Sequence, residues 1–217
     1  MNSSLHLEFI HSFIHSSNLF EWLPYGWLEI EIGRLLGKGG FFDVHEVTKI
    51  SLRQKTEDDE NDGDVIVVRP KDMDEDYIQG VVQDRRFMQA HCLRSGKDCR
   101  YAFKGMQKAR KQDASMFVNA VVDMALEAKF LAAVRHPNII KMRAMASGDL
   151  CQANFFIIMD RLYDTLNDRI QQWQKKQSNG LVRLFDFQKK KEKRFIAERL
   201  TVAYDIASAL EYLHNLK

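Results

Sequence analysis

WLEIEIGRLLGKGGFFDVHEVTKI, residues 27–50, reads as two strands joined by a glycine turn. Apolar and polar residues roughly alternate along it, the period-two pattern of a strand with one buried face. Four of the chain's 11 glycines fall within Gly33–Gly40. In the stretch Leu36-Gly37-Lys38-Gly39-Gly40-Phe41-Phe42-Asp43-Val44, glycines let backbone N–H groups approach a polyphosphate with no Cβ in the way. The same turn equally serves a plain β-hairpin. A dinucleotide-binding fingerprint would need a helix directly after the turn, and Val44 to Ile50 reads as strand; a Walker loop would need Gly-Lys-Ser/Thr, which is absent.

Upstream, residues 1–26 form a mildly apolar lead-in with room for one short helix. Downstream, roughly 51–99 is a polar insert. It holds the acidic run EDDENDGD at Glu57–Asp64, a short apolar patch at Val65–Val68, and a helical pattern from about Asp74 to Leu93. Self-repulsion and a lack of apolar residues predict a loop for the acidic run. Regular structure returns with the strand-like RYAFKGM from Arg100. A helix is predicted over Ala114–Val134, with Phe117, Val121, Met124, Ala128 and Leu131 at three- and four-residue steps and Pro137 beyond its end. Phe155–Met159 reads as a buried strand, Thr165 to about Gln177 as a helix, KKKEKR at Lys189–Arg194 as a charged loop, and Phe195–His214 as a final helix. Strands first and helices last predict an α+β fold: a small sheet lobe followed by a helical part.

Composition bounds the function classes. Across 217 residues, 32 Lys+Arg stand against 30 Asp+Glu, a balance that argues against a nucleic-acid partner. No stretch approaches transmembrane length without charges, so no membrane partner is expected. The three cysteines, Cys92, Cys99 and Cys151, are an odd number without zinc-like spacing, which predicts reduced thiols, no structural metal and an intracellular, cytoplasmic protein, with the nucleus as the other compartment.

Two charged residues sit in apolar surroundings. Lys104 closes the strand segment Tyr101-Ala102-Phe103-Lys104; such a lysine is either a solvated strand end or the partner of something buried. Glu127 lies between Met124 and Leu131 on the helix, beside its apolar stripe. It is either a rim glutamate reaching water or a carboxylate in need of a cation, for which Lys104 is the candidate.

Taken together, these segments resemble the N-terminal half of a eukaryotic protein kinase domain of serine/threonine type, over roughly residues 27–217. LGKGGFFDV is similar to that family's glycine-rich loop, YAFK to its third-strand lysine element, and Glu127 to the glutamate of its helix C. His136–Ile140, HPNII, resembles the turn after that helix, Phe155–Leu162 the strand entering the hinge, and RLTVAYDIASALEYLHNLK the family's helix E. The resemblance implies ATP as cofactor and a protein substrate for the full-length form. It implies Lys104 and Glu127 as catalytic residues, and a nucleotide site of Leu36, Gly37, Lys38, Gly39, Gly40, Phe41, Val44, Ala102, Lys104, Met159, Asp160 and Leu162. In it Met159 is the gatekeeper, and Asp160 and Leu162 offer backbone groups to adenine. It further implies an N-lobe over 27–162 and the start of a C-lobe over 163–217.

Departures accompany it. Phe42 stands at the third glycine position, and the 51–99 insert replaces a short turn. No H-R-D triplet occurs anywhere, and Asp186-Phe187 is followed by Gln188 rather than glycine. The family's catalytic aspartate and both Mg²⁺ ligands are therefore absent from these residues, so this stretch is expected to be inactive alone and truncated before the catalytic loop. The broad apolar arc of the last helix, which includes Leu200, Ile206, Leu210 and Leu213, predicts a face that a missing C-lobe or a partner would cover. The alternative reading is a non-catalytic nucleotide-binding or pseudokinase-like interaction module, with the insert as its partner surface.

Overall fold

The computed structural model of the protein describes residues 23–52, 75–96, 98–147, 152–178 and 187–216. The acidic run Glu57–Asp64, the Val65–Val68 patch, Cys151, Asp186 and most of the N-terminal lead-in lie outside them.

The chain is α+β and divides into two units, one of residues up to Val134 together with Ile140–Arg161, the other of Arg135–Ile139 and Leu162–Lys217. The first unit carries a six-stranded sheet: β1 Leu23–Tyr25, β2 Ile30–Lys38, β3 Phe42–Ile50, β4 Tyr101–Met106, β5 Met142–Ala146 and β6 Phe156–Asp160. They are ordered β1-β5-β6-β4-β3-β2. Five strands are antiparallel neighbours, and β1 alone runs parallel to its partner β5. The expected strand–turn–strand over 27–50 is present, except that Trp27–Glu29 makes a 3-10 turn before β2.

Within the 1–26 lead-in, Leu23–Tyr25 forms a strand that the sequence reading did not include. Three residues containing a proline give no periodic signal, and a proline is tolerated there because the strand is at the sheet edge. β5 was equally silent: its Met-Arg-Ala-Met-Ala has no β-branched residue, and only its burial between β1 and β6 makes it a strand.

Two helices pack on this sheet. Helix α1, Glu75–Ala90, comes from the insert. It is seated by Glu29, whose two carboxylate oxygens each accept from Arg85 Nη2 at 2.6 Å, while the guanidinium lies 4.9 Å from the Tyr25 ring centroid. Met88 and Cys92 join the core from the same side, so this part of the insert is integral to the lobe. After β4 comes the single-turn helix α2, Lys108–Lys111, and then α3, Ala114–Ala133. Asp113 caps α3 by accepting from the Ser115 and Met116 N–H groups, both at 3.0 Å. The face of α3 formed by Ala120, Val121, Met124, Ala128 and Leu131 is buried, as the three- and four-residue spacing predicts.

The second unit holds α4, Leu166–Ser178, and α5, Phe187–His214. α5 begins eight residues before the predicted Phe195, so the backbone of Lys189–Arg194 is helical rather than looped. Lys, Glu and Arg are good helix formers, and a run of them does not interrupt a helix already nucleated on one side. Buried Trp173 meets Phe195 edge-on with ring centroids 6.3 Å apart. The HPN turn docks on α5: His136 Nε2 lies 3.2 Å from Ser208 Oγ, Asn138 Nδ2 donates to Asp205 O at 3.1 Å, and Tyr212 Oη accepts from the Arg135 N–H. Also on α5, Leu200, Tyr204, Ile206 and Leu210 are exposed, while Leu213 of the predicted arc is half-buried. Among the described residues no helix is long and apolar enough to cross a membrane.

Candidate functional site

Lys104 is the fourth residue of β4, in register with Val44 on β3 and Ile157 on β6. Alternation along the three strands puts Val44, Lys104 and Ile157 on one face of the sheet. A lysine in that row is surrounded by apolar neighbours, and its side chain is only 19% exposed. Its ammonium is not a solvated strand end. Nζ donates to Glu127 Oε2 from α3 and stands 5.0 Å from the Phe42 ring centroid. Glu127, with its side chain 31% exposed, is likewise no free rim carboxylate.

Above this pair lies a cleft of about 450 Å³ lined by Gly37, Lys38, Gly39, Gly40, Phe41, Phe42, Val44, Lys104, Asp123 and Glu127. The two segments singled out in the sequence, the glycine turn and the lysine–glutamate pair, therefore face one volume. The turn itself is closed by Gly39 N–H donating to Phe42 O at 2.8 Å. The next two amides, of Gly40 and Phe41, have no partner among the described residues. A Cβ added at Gly37 or Gly40 would meet nothing within 4 Å, so the fold itself makes no demand for glycine at either place. At Gly105 the demand is structural: a Cβ there would come within 2.6 Å of the Phe103 ring, which lies over it.

Two lining residues were not read from the sequence. Phe42 occupies the third glycine position, and its buried ring faces the Lys104 ammonium. Asp123 precedes Glu127 by one helical turn; the i, i+4 spacing that puts both on one face was available, but nothing in the sequence told the cleft side of the helix from its other exposed side.

The remaining expected residues do not line this cleft. Leu36 packs against the core from the end of β2, and Ala102 and Met159 are buried cross-strand partners. The Asp160 N–H donates to Lys141 O at 3.0 Å, and its carboxylate is held by both Nε and Nη2 of Arg143 at 2.7 Å. Leu162 belongs to the second unit, where it is 68% exposed.

Among the described residues no group of three or more His, Cys, Asp or Glu side chains is placed to hold a metal ion. No protein-family model and no curated protein matches the chain.

The arrangement supplies two chemistries to one volume: a cation oriented by a carboxylate, and a pair of unpartnered backbone amides. Both act on anions. A lysine held by one hydrogen bond retains two N–H donors, and successive free amides in a glycine turn form a concavity suited to phosphate oxygens.

Proposed function

We propose that this chain is the ATP-binding part of a protein serine/threonine kinase, which in complete form transfers the ATP γ-phosphoryl group to protein hydroxyls. The observation that carries the reading is the Lys104–Glu127 ion pair lying beneath a glycine turn with two amides that have no partner among the described residues. In this reading the Gly40 and Phe41 amides and Lys104 bind phosphate oxygens, and Glu127 keeps the ammonium aimed at them. Phosphoryl transfer asks mainly for such positioning and charge stabilisation. The residues that fit ATP are those of the cleft; adenine would lie toward Ala102 and Met159, whose small and apolar side chains suit a purine face. These 217 residues contain neither H-R-D nor D-F-G, so the resemblance assigns no proton-accepting aspartate and no Mg²⁺ ligand among them.

A second reading, a non-catalytic nucleotide-binding module, is favoured by one feature, the Phe42 ring where the family resemblance leads to glycine. Both readings require nucleotide binding. Titration of ATP with Mg²⁺ into the chain, followed by calorimetry, should give saturable binding that Lys104→Met weakens at least about tenfold, since a charge-assisted hydrogen bond contributes about 1.5–3 kcal/mol. An unsubstituted chain that binds no ATP refutes both. The complete protein then separates them, by whether it incorporates phosphate into protein in a Lys104-dependent way.

A further inference from the structure

The glycine turn is not free to hang over the cleft. Four successive carbonyls along it are hydrogen-bonded, three of them by Gln107 or Arg110 at 3.2 Å or less. Gly39 O accepts from Gln107 Nε2 at 3.0 Å, Gly40 O from Arg110 Nε at 3.2 Å, and Phe41 O from the Gln107 backbone N–H at 2.9 Å. Phe42 O receives a longer contact of 3.4 Å from Gln107 Nε2, besides its bond from Gly39 N–H. The same amide nitrogen reaches Asp43 Oδ1 at 3.1 Å. Gln107 has two protons on Nε2, so the Gly39 and Asp43 bonds use them and the Phe42 contact shares one.

This pattern fixes the direction of the turn's donors. Across a planar trans peptide, the carbonyl of one residue and the N–H of the next point to opposite sides. Gly39 O and Gly40 O are drawn toward Gln107 and Arg110, neither of which lines the cleft. The Gly40 and Phe41 N–H groups, the two without partners, must therefore point the other way. Loss of the carbonyl contacts would let both peptide planes rotate, as glycine allows at little cost.

We propose that Gln107, assisted by Arg110, is a positioning residue for polyphosphate binding: it holds the carbonyls of the turn so that the Gly40 and Phe41 amides stay presented to the anion. The proposal rests on the nucleotide-binding reading above and adds to it which side chains set the turn. Gln107 touches no ligand atom in this account and acts only through the backbone of residues 39–43.

The test compares ATP with adenosine, titrated into the unsubstituted chain and into Gln107→Ala and Gln107→Glu. The glutamate keeps the shape but sets an acceptor against carbonyls. Both variants should bind ATP about tenfold more weakly, the loss expected when hydrogen bonds to a charged group are misdirected. Adenosine affinity should be unchanged, a contrast that general loss of structure would not produce. Arg110→Ala, which removes a contact farther from β4, should show the same selective loss to a smaller degree and serves if the Gln107 variants do not fold. Amide resonances of Gly40 and Phe41 should shift on addition of ATP to the unsubstituted chain and not on addition of adenosine. ATP binding that all three substitutions leave intact overturns the positioning role while leaving the nucleotide reading standing. An unsubstituted chain that fails to bind ATP overturns the reading and the positioning role together.

Discussion

Replacing Arg85 by Met should destabilise the first unit by about 3–4 kcal/mol, of the size seen when one partner of a buried ion pair is removed. Glu29 is 3% exposed, and both its oxygens lie 2.6 Å from the Arg85 Nη2 that would be lost. It would keep its bond from the Gly26 N–H at 2.9 Å, but a carboxylate shielded from water with its guanidinium gone remains costly. Methionine retains most of the apolar stem against Tyr25, so the loss beyond the charge includes the cation–π contact, about 0.5–1 kcal/mol. For a chain of this size each kcal/mol lowers the melting temperature by about 2–4 °C, so a drop of roughly 6–16 °C is expected. Urea unfolding followed by tryptophan fluorescence gives the free energy, since the partly exposed Trp27 meets the buried Phe103 ring edge-on at 5.1 Å. The double substitution Glu29→Gln with Arg85→Met should recover about half the loss, because no charge is then left buried. A cost below about 1 kcal/mol for Arg85→Met alone would refute the reasoning, since that is the range of a solvated pair. Helix α1 would then not be docked as described.

Gly37→Ala and Gly40→Ala should leave stability unchanged or raise it by up to about 1 kcal/mol through the unfolded chain, yet weaken ATP binding in the same calorimetric titration. Gly105→Ala should instead destabilise by about 1–3 kcal/mol in a thermal melt, because the Phe103 ring must move to admit the methyl group. Equal effects at the three sites would refute the distinction between glycines kept for a ligand and one kept for packing. Burial pushes the Cys92 thiol up to about 11, with Cys99 adding to the effect. The folded state therefore favours the neutral thiol: its stabilising effect is full below the unfolded thiol range and declines as pH rises from there toward about 11. Alkylation of Cys92 at pH 8, read by peptide mass, should be far slower in the folded chain than in urea; equal rates would show the site to be open.

Much of the candidate site was legible because its parts are local. A glycine-rich turn between two alternating runs and a lysine closing an apolar strand each announce themselves within ten residues. So does a glutamate beside a helical apolar stripe. The apolar surroundings of Glu127 also made Lys104 its candidate partner, and the two do meet. The Gln107 contacts were not legible, because an amide side chain gives no signal until the turn it serves, more than 60 residues earlier, lies beside it. Phe42 was seen only as a missing glycine; its ring beside the ammonium depends on where β3 and β4 bring them. The same holds for Asp160, whose backbone N–H is occupied by Lys141 across an unforeseen strand pairing.

The sequence by itself determined the α+β class, helix α3 and its buried face, the strands β3, β4 and β6, and the chemistry of a lysine, a carboxylate and a glycine turn. These follow from periodicity and residue type, which act over one or two turns of chain. Tertiary structure alone decided that Leu23–Tyr25 and Met142–Ala146 are strands, and that a polar insert contributes a docked helix through Glu29 and Arg85. It alone brought Gln107 and Arg110 to the carbonyls of Gly39, Gly40 and Phe41. Each of these depends on contacts between segments far apart in the chain, where pairing, burial and charge compensation outweigh local preference.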